Sequence, residues 1–265
     1  MTSVAALYRY PVKGLTAETI DRATVLDSGA VAGDHVLGLL FADAGPAVRD
    51  GWWSKEHFTV LMNTPDLARL QARFDERTLR VSITLDGITL VESVLDESGR
   101  VRIAEAVTEY LLALNESPLR SRPERAPLRL VGDGASPAFH DRGARHVTVV
   151  GRPSVDALAE AMGREVDERR FRMNVVLDGL DAWEELGWVG HTIRIGELDF
   201  DVTGPVVRCL ATHANPETGV RDIEVMKMLT SIFGQTKPTM GVLAVLRGRG
   251  GELAVGANVT SPRQR

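Results

Sequence analysis

The dipeptide Asp86-Gly87, set between the apolar-rich runs Leu79–Leu85 and Ile88–Val94, constrains the fold more than any other feature of the chain. Both residues accept the left-handed backbone of a two-residue hairpin, so the runs pair as antiparallel strands. Comparable short runs recur along the sequence. Early ones are Val4–Tyr10, stopped by the turn Pro11-Val12-Lys13-Gly14, then Ala23–Leu26, Val36–Phe41 and His57–Met62. Later ones are His146–Val150, Phe171–Leu177, and Thr192–Ile195 with Leu198–Val202 about Gly196-Glu197. Val206–Thr212 follows, and Met240–Leu246 with Glu252–Val255 closes the sheet through the Gly-rich turn Arg247–Gly251.

Helical signals are fewer. Thr64 and Pro65 open one with Leu67, Leu70 and Phe74 on a single face, and Ile103, Ala104, Val107, Tyr110, Leu111 and Leu114 mark another. Ser154 caps a helix to Met162 that ends at Gly163, and Asp222 caps one through Phe233. Ala44–Lys55 and Gly132–Arg145 read as loops. The expected fold is α+β, mainly β, with strongly bent sheets or a β-barrel core and a few peripheral helices. The Pro- and Arg-rich segment Ser117–Pro127 reads as a solvated linker between domains 1–117 and 118–265, whose strands can interleave in one barrel.

A net charge of -5 gives no general pull towards nucleic acid or anionic membrane. No stretch approaches the ~20 apolar residues of a membrane helix, and the N-terminus lacks a signal-peptide pattern, so a cytoplasmic protein is expected. One cysteine, Cys209, excludes an internal disulfide, a four-Cys zinc site and a self-contained iron–sulfur cluster. Cys209 follows Arg208, whose guanidinium favours the thiolate, and precedes the turn Asn215-Pro216-Glu217-Thr218-Gly219. A lone cysteine is more often a small buried apolar side chain. Along a continuous strand, Cys209 and His213 would lie ~13 Å apart at Cα, too far for a catalytic dyad without a sharp bend. No paired histidine spacing, His-Glu-x-x-His, Gly-x-Ser-x-Gly or phosphate-binding Gly-x-x-x-x-Gly-Lys-Thr is present.

Three blocks in order carry a resemblance. Tyr10-Pro11-Val12-Lys13-Gly14, Phe171-Arg172-Met173-Asn174-Val175-Val176, and Arg208-Cys209-Leu210-Ala211-Thr212 through Gly219 resemble the signature blocks of MOSC-domain proteins. The first resembles the β-barrel domain that precedes MOSC in the amidoxime-reducing branch of that family. The resemblance implies a pyranopterin molybdenum cofactor between the two domains. It makes Cys209 the metal ligand and a catalytic residue, and Lys13, Arg172 and Arg208 partners of the cofactor's phosphate. Asn174 falls at an amide contact to the pterin, and Gly14, His35 and Val207 fall at further cofactor-binding positions. Asn215, in a loop shaped by Pro216 and Gly219, is implied as a catalytic residue facing substrate.

The implied activity is a molybdenum-dependent oxidoreductase that reduces N-hydroxylated small molecules, with electrons from a separate electron-transfer protein. Two alternatives stand beside it: a sulfur carrier with a persulfide on Cys209, and a non-catalytic binding module that has lost the cofactor. The chain also departs from the family pattern. Gly14 stands where a serine is common, His35 where an arginine is usual, and Met173 where a proline is found. Val207 replaces a small polar residue and Asn215 an aspartate. Each charged hydrogen bond lost this way weakens an anion's grip by ~1–3 kcal/mol.

Overall fold

Strand β1 (Ser3–Arg9) buries Val4 and Leu7, and β2 (Glu18–Ile20) returns antiparallel along its second half, with Leu7 opposite Ile20. The computed structural model describes residues 1–45, 54–141 and 145–262. After β3 (Arg22–Val25) and β4 (Gly38–Leu40) come β5 (Leu70–Asp75), β6 (Arg80–Leu85) and β7 (Ile88–Val94), a three-stranded antiparallel sheet. As expected, β6 and β7 turn on Asp86 and Gly87, at φ 52° and 81°. Helix α1 (Glu97–Ala113), capped by the Asp96 carboxylate on the Gly99 amide, lays Ile103, Val107 and Leu111 against Leu70, Phe74, Val81 and Ile83.

The short helix α2 (Pro118–Ser121) and β8 (Arg129–Val131) lead into β9 (Val147–Gly151), helix α3 (Arg152–Met162) and β10 (Val175–Asp178). Then follow β11 (Thr192–Ile195), β12 (Leu198–Val207), α4 (Val225–Ser231), β13 (Thr239–Arg247), β14 (Gly251–Ala254) and β15 (Val259–Thr260). Eight strands form one mixed sheet in the order β15-β11-β12-β13-β9-β10-β1-β2, in which only β9 and β10 run parallel. β3 pairs with β14, so strands from both ends of the chain share a ladder, and β4 pairs with β8.

The fold is mostly β, with four α-helices among the described residues. Register shifts within β12, at Val202/Gly204 and Pro205/Val207, bend that strand. Ser3 bridges Asn258, and the Val4 amide donates to the Ala257 carbonyl, so the start of β1 meets the far edge of the sheet. No closed barrel is present among the described residues, and the core includes separate clusters under α1, within the large sheet, and between that sheet and helices α3 and α4.

Several expected elements differ. Thr64–Phe74 is a 3-10 turn, Pro65–Arg69, followed by strand β5. Leu70 and Phe74 are an even number of residues apart, so they also share a face at period two, with Ala72 between them. His57–Met62 is not a strand, because only Phe58 bridges, to Leu40. Ser154 does not cap α3; its hydroxyl accepts from the Trp183 amide and donates to Glu185. Nor does Asp222 cap α4, which begins at Val225 while Asp222 pairs with Arg170. β14 leaves the sheet of β13 and joins β3 instead. Within Ser117–Pro127 the Ser117 hydroxyl caps α2 and Leu119 is fully buried, while residues 120–124 are exposed. Of the expected loops, residues 46–53 of Ala44–Lys55 and 142–144 of Gly132–Arg145 lie outside the described residues. No helix among the described residues is long and apolar enough to cross a membrane.

Candidate functional site

Three segments that are distant in sequence converge on one cleft of about 200 Å³. The turn after β1 contributes Lys13 and Gly14, the stretch before β10 contributes Arg172, Met173 and Asn174, and the end of β12 contributes Val207, Arg208 and Cys209. His35 lines the same cleft from the segment ahead of β4.

Local backbone conformation sets these positions. Gly14 sits at φ 90°, and a Cβ there would lie 3.0 Å from the Thr59 carbonyl oxygen, so the backbone itself forms the wall. The expected strand Phe171–Leu177 begins only at Val175, because Glu168–Phe171 is a 3-10 turn and Arg172 takes the left-handed conformation at φ 51°. Strand β12 likewise stops at Val207, short of the expected Thr212. Cys209 is extended and opens a 3-10 turn, Leu210–His213, in which the Thr212 amide and hydroxyl both donate to the Cys209 carbonyl at 3.1 and 3.0 Å. The chain therefore bends between Cys209 and His213, but His213 does not join the cleft lining; the Met226 amide donates to its Nε2 at 3.5 Å.

The cations divide into two kinds. Lys13 is buried and committed: its Nζ donates to the Phe139 carbonyl at 2.8 Å and pairs with Asp141. Burial lowers its pKa. Arg172 lies on the Tyr10 ring at 4.2 Å and donates from Nη1 to the Leu15 carbonyl at 2.6 Å, but its buried Nη2 has no partner. Arg208 donates from Nη2 to the Phe171 carbonyl at 2.7 Å, while its buried Nε has none. Neither arginine meets a carboxylate at salt-bridge distance among the described residues. Burial pushes both guanidinium pKa values down, that of Arg208 to about 10.

Two of the expected site residues make hydrogen bonds within the protein, Asn174 from within the cleft lining. The Asn174 Oδ1 accepts from the Thr148 amide and hydroxyl, at 3.1 and 2.9 Å, and its Nδ2 donates to the Tyr8 carbonyl. Its amide thus brackets β9 to β1. Asn215 is outside the cleft lining: its Oδ1 accepts from the Glu217 and Thr218 amides and its Nδ2 donates to Asp222 at 3.0 Å. Val207 is 42% exposed at the rim.

The cleft also holds residues the sequence did not single out: Asp34, Lys55, His140, Asp141, His146 and Thr148. Asp34 directly precedes His35, but nothing in the spacing tied it to His140. The Asp34 Oδ2 meets His35 Nδ1 at 2.7 Å and His140 Nε2 at 3.2 Å, and its Oδ1 accepts from the Tyr10 amide. Burial opposes the charge of Asp34, yet the two imidazoles outweigh it and hold the carboxyl well below its usual range. Burial likewise pushes His35 down to about 4.

Residues 1–106 match the MOSC N-terminal beta barrel domain, and residues 136–260 match the MOSC domain. The chain belongs to the MOSC family. Human mitochondrial amidoxime-reducing component 1 is 23% identical over 252 residues, covering 82% of this MOSC protein and 68% of that one. Molybdenum cofactor sulfurase of Drosophila pseudoobscura pseudoobscura is 35% identical over 86 residues, 32% of this chain and 10% of that protein. The chain thus spans about a tenth of the length of that sulfurase. Among solved structures, the YuaD protein of Bacillus subtilis aligns at a TM-score of 0.42 with 12% identity, over 98% of this MOSC protein and 94% of that chain.

Proposed function

We propose that this MOSC protein is a molybdenum-cofactor-dependent oxidoreductase that holds the pyranopterin cofactor in the cleft. One observation carries the reading. Arg172 and Arg208 line the same cleft as Cys209, and each keeps a buried nitrogen donor without a partner or a carboxylate to balance its charge. Buried donors are almost always satisfied, and forked guanidinium donors favour phosphate, so the pair fits the cofactor's anionic tail. Lys13, already bound to Asp141, adds positive potential rather than a free donor. Cys209 offers sulfur, the soft ligand type that suits a sulfur-rich metal centre. When bound, the cofactor supplies a two-electron redox centre.

The reaction converts an N-hydroxylated small molecule, two electrons and two protons into the amine and water. A single cysteine leaves the chain without an iron–sulfur cluster, so the electrons come from a separate protein. The likeness to an amidoxime-reducing protein across 82% of the chain supports this chemistry. A cytoplasmic location is consistent with it.

A second reading rests on the higher identity to molybdenum cofactor sulfurase, in which Cys209 carries a persulfide instead. Metal and pterin analysis separates the two, on protein made in a host that synthesises the cofactor. Near-stoichiometric molybdenum, lost in Cys209→Ser, supports the oxidoreductase. Molybdenum-free and pterin-free protein from cells whose other molybdoenzymes are loaded refutes it, and mass spectrometry of Cys209 then tests for the persulfide.

A further inference from the structure

One cluster in the cleft wall has no role in the anion grip. Asp34 is 2% exposed at its side chain, and its carboxylate oxygens meet the Tyr10 amide and the two imidazoles. Buried charges in proteins are as a rule paired with a counter-charge or bound to a metal. The Asp34 Oδ2, His35 Nδ1 and His140 Nε2 atoms all lie within 4.8 Å of one another.

We infer that Asp34, His35 and His140 form a binding site for a divalent first-row transition ion of the Zn²⁺ class, with its remaining coordination positions open to the cleft. Two imidazoles and one carboxylate are the donor set such ions take when they keep a position for water or a ligand. Around a tetrahedral Zn²⁺ with bonds near 2.0–2.1 Å, ligand atoms stand about 3.3 Å apart. The present separations from Oδ2 are 2.7 and 3.2 Å, so small side-chain rotations admit the ion.

The two loops that carry the ligands are also locked to each other. The His35 amide donates to the Tyr10 carbonyl at 2.8 Å, and the Ala138 and Phe139 amides both donate to the His35 carbonyl, at 3.1 and 3.0 Å. This holds His35 at φ 51° and sets His140 against it, with ring centroids 4.7 Å apart. Such support from backbone bonds is what a site needs before its ion arrives. On metal binding the ring protons move to the outer nitrogens; His140 Nδ1 is buried without a protein partner and is free to carry one.

The test uses untagged, cofactor-free protein titrated with Zn²⁺ by calorimetry and with Co²⁺ by its visible absorption. One equivalent is expected in the wild type and equally in Cys209→Ser, which removes the thiol as a rival ligand. Affinity should fall at least 100-fold in His140→Ala and in His35→Gln, each checked for a native circular dichroism spectrum. No stoichiometric binding by the wild type overturns the inference. So does undiminished binding in both histidine variants, or loss of binding in Cys209→Ser. Molybdenum plays no part in these titrations, so their outcome is independent of the oxidoreductase reading.

Discussion

Replacing Arg170 with Met should destabilise the protein and loosen the Cys209 turn together. Arg170 is 3% exposed at its side chain and pairs with Asp222 at 2.8 Å, while its Nη1 donates to the His213 carbonyl at 3.0 Å. His213 ends the 3-10 turn that Cys209 begins, and Arg170 stands two residues before Arg172. The side chain therefore latches the cysteine segment to the arginine segment. Removing one partner of a buried ion pair costs about 3–5 kcal/mol, because the other charge is stranded. Asp222 is 21% exposed and keeps Arg164 and the Asn215 amide, and Arg170 itself buries an unpartnered Nε. These offsets put the cost at the lower end, about 3 kcal/mol, or roughly 150-fold in the folding equilibrium.

For a chain of this size that corresponds to a fall in Tm of about 6–12 °C. Urea melts of Arg170→Met, Asp222→Asn and the double variant measure it, and the double variant should cost clearly less than the sum of the singles. Alkylation of Cys209 should run faster in Arg170→Met than in the wild type under native conditions. A loss below about 1 kcal/mol with an unchanged alkylation rate would refute the latch.

Arg208→Met removes one of the two cleft guanidinium groups and should weaken phosphate binding to cofactor-free protein at least tenfold by calorimetry. Glu185 is fully buried, and burial raises its pKa, so the folded state favours the protonated acid. Stability from that proton is present below the unfolded pKa and lost as pH rises through the folded one. Glu185→Gln should thus match the wild type near pH 4 and melt higher at pH 8; equal melting at both would refute the assignment. Leu119→Ala should cost about 2–5 kcal/mol, as for a core leucine, whereas a solvated linker would leave the urea midpoint unchanged.

Elements whose signal is local were legible in the sequence. Asp86-Gly87 dictates its own turn, α1 shows its apolar face, and Gly163 ends α3 at φ 62°. Failures came where tertiary contacts choose between two periods. Leu70 and Phe74 suit a helix or a strand, and pairing with β6 decides for the strand. Ser154 and Asp222 look like caps by position, yet Glu185 and Arg170 claim them from across the fold. The site divides the same way. Contiguous blocks singled out Lys13, Arg172, Arg208 and Cys209, which line one cleft, whereas Asp34 and His140 are 106 residues apart and are brought together by the fold.

The departures from the family pattern then gain a common physical sense. At Gly14 the chain runs at φ 90° with the Thr59 carbonyl against the Cβ position, a conformation a serine would strain. At His35 a guanidinium is replaced by an imidazole whose Nδ1 is held by Asp34, so this corner of the cleft supplies no fixed positive charge near pH 7. On the proposed cofactor reading, Arg172 and Arg208 are the cleft arginines that each offer the phosphate a buried nitrogen without a partner. Losing either should therefore matter more here than in a relative that keeps the third cation, and restoring it with His35→Arg should tighten phosphate binding. The same change would remove a ligand of the inferred Zn²⁺ site. A His35→Arg variant that gained phosphate affinity and kept its Zn²⁺ affinity would show that the two roles do not share this residue.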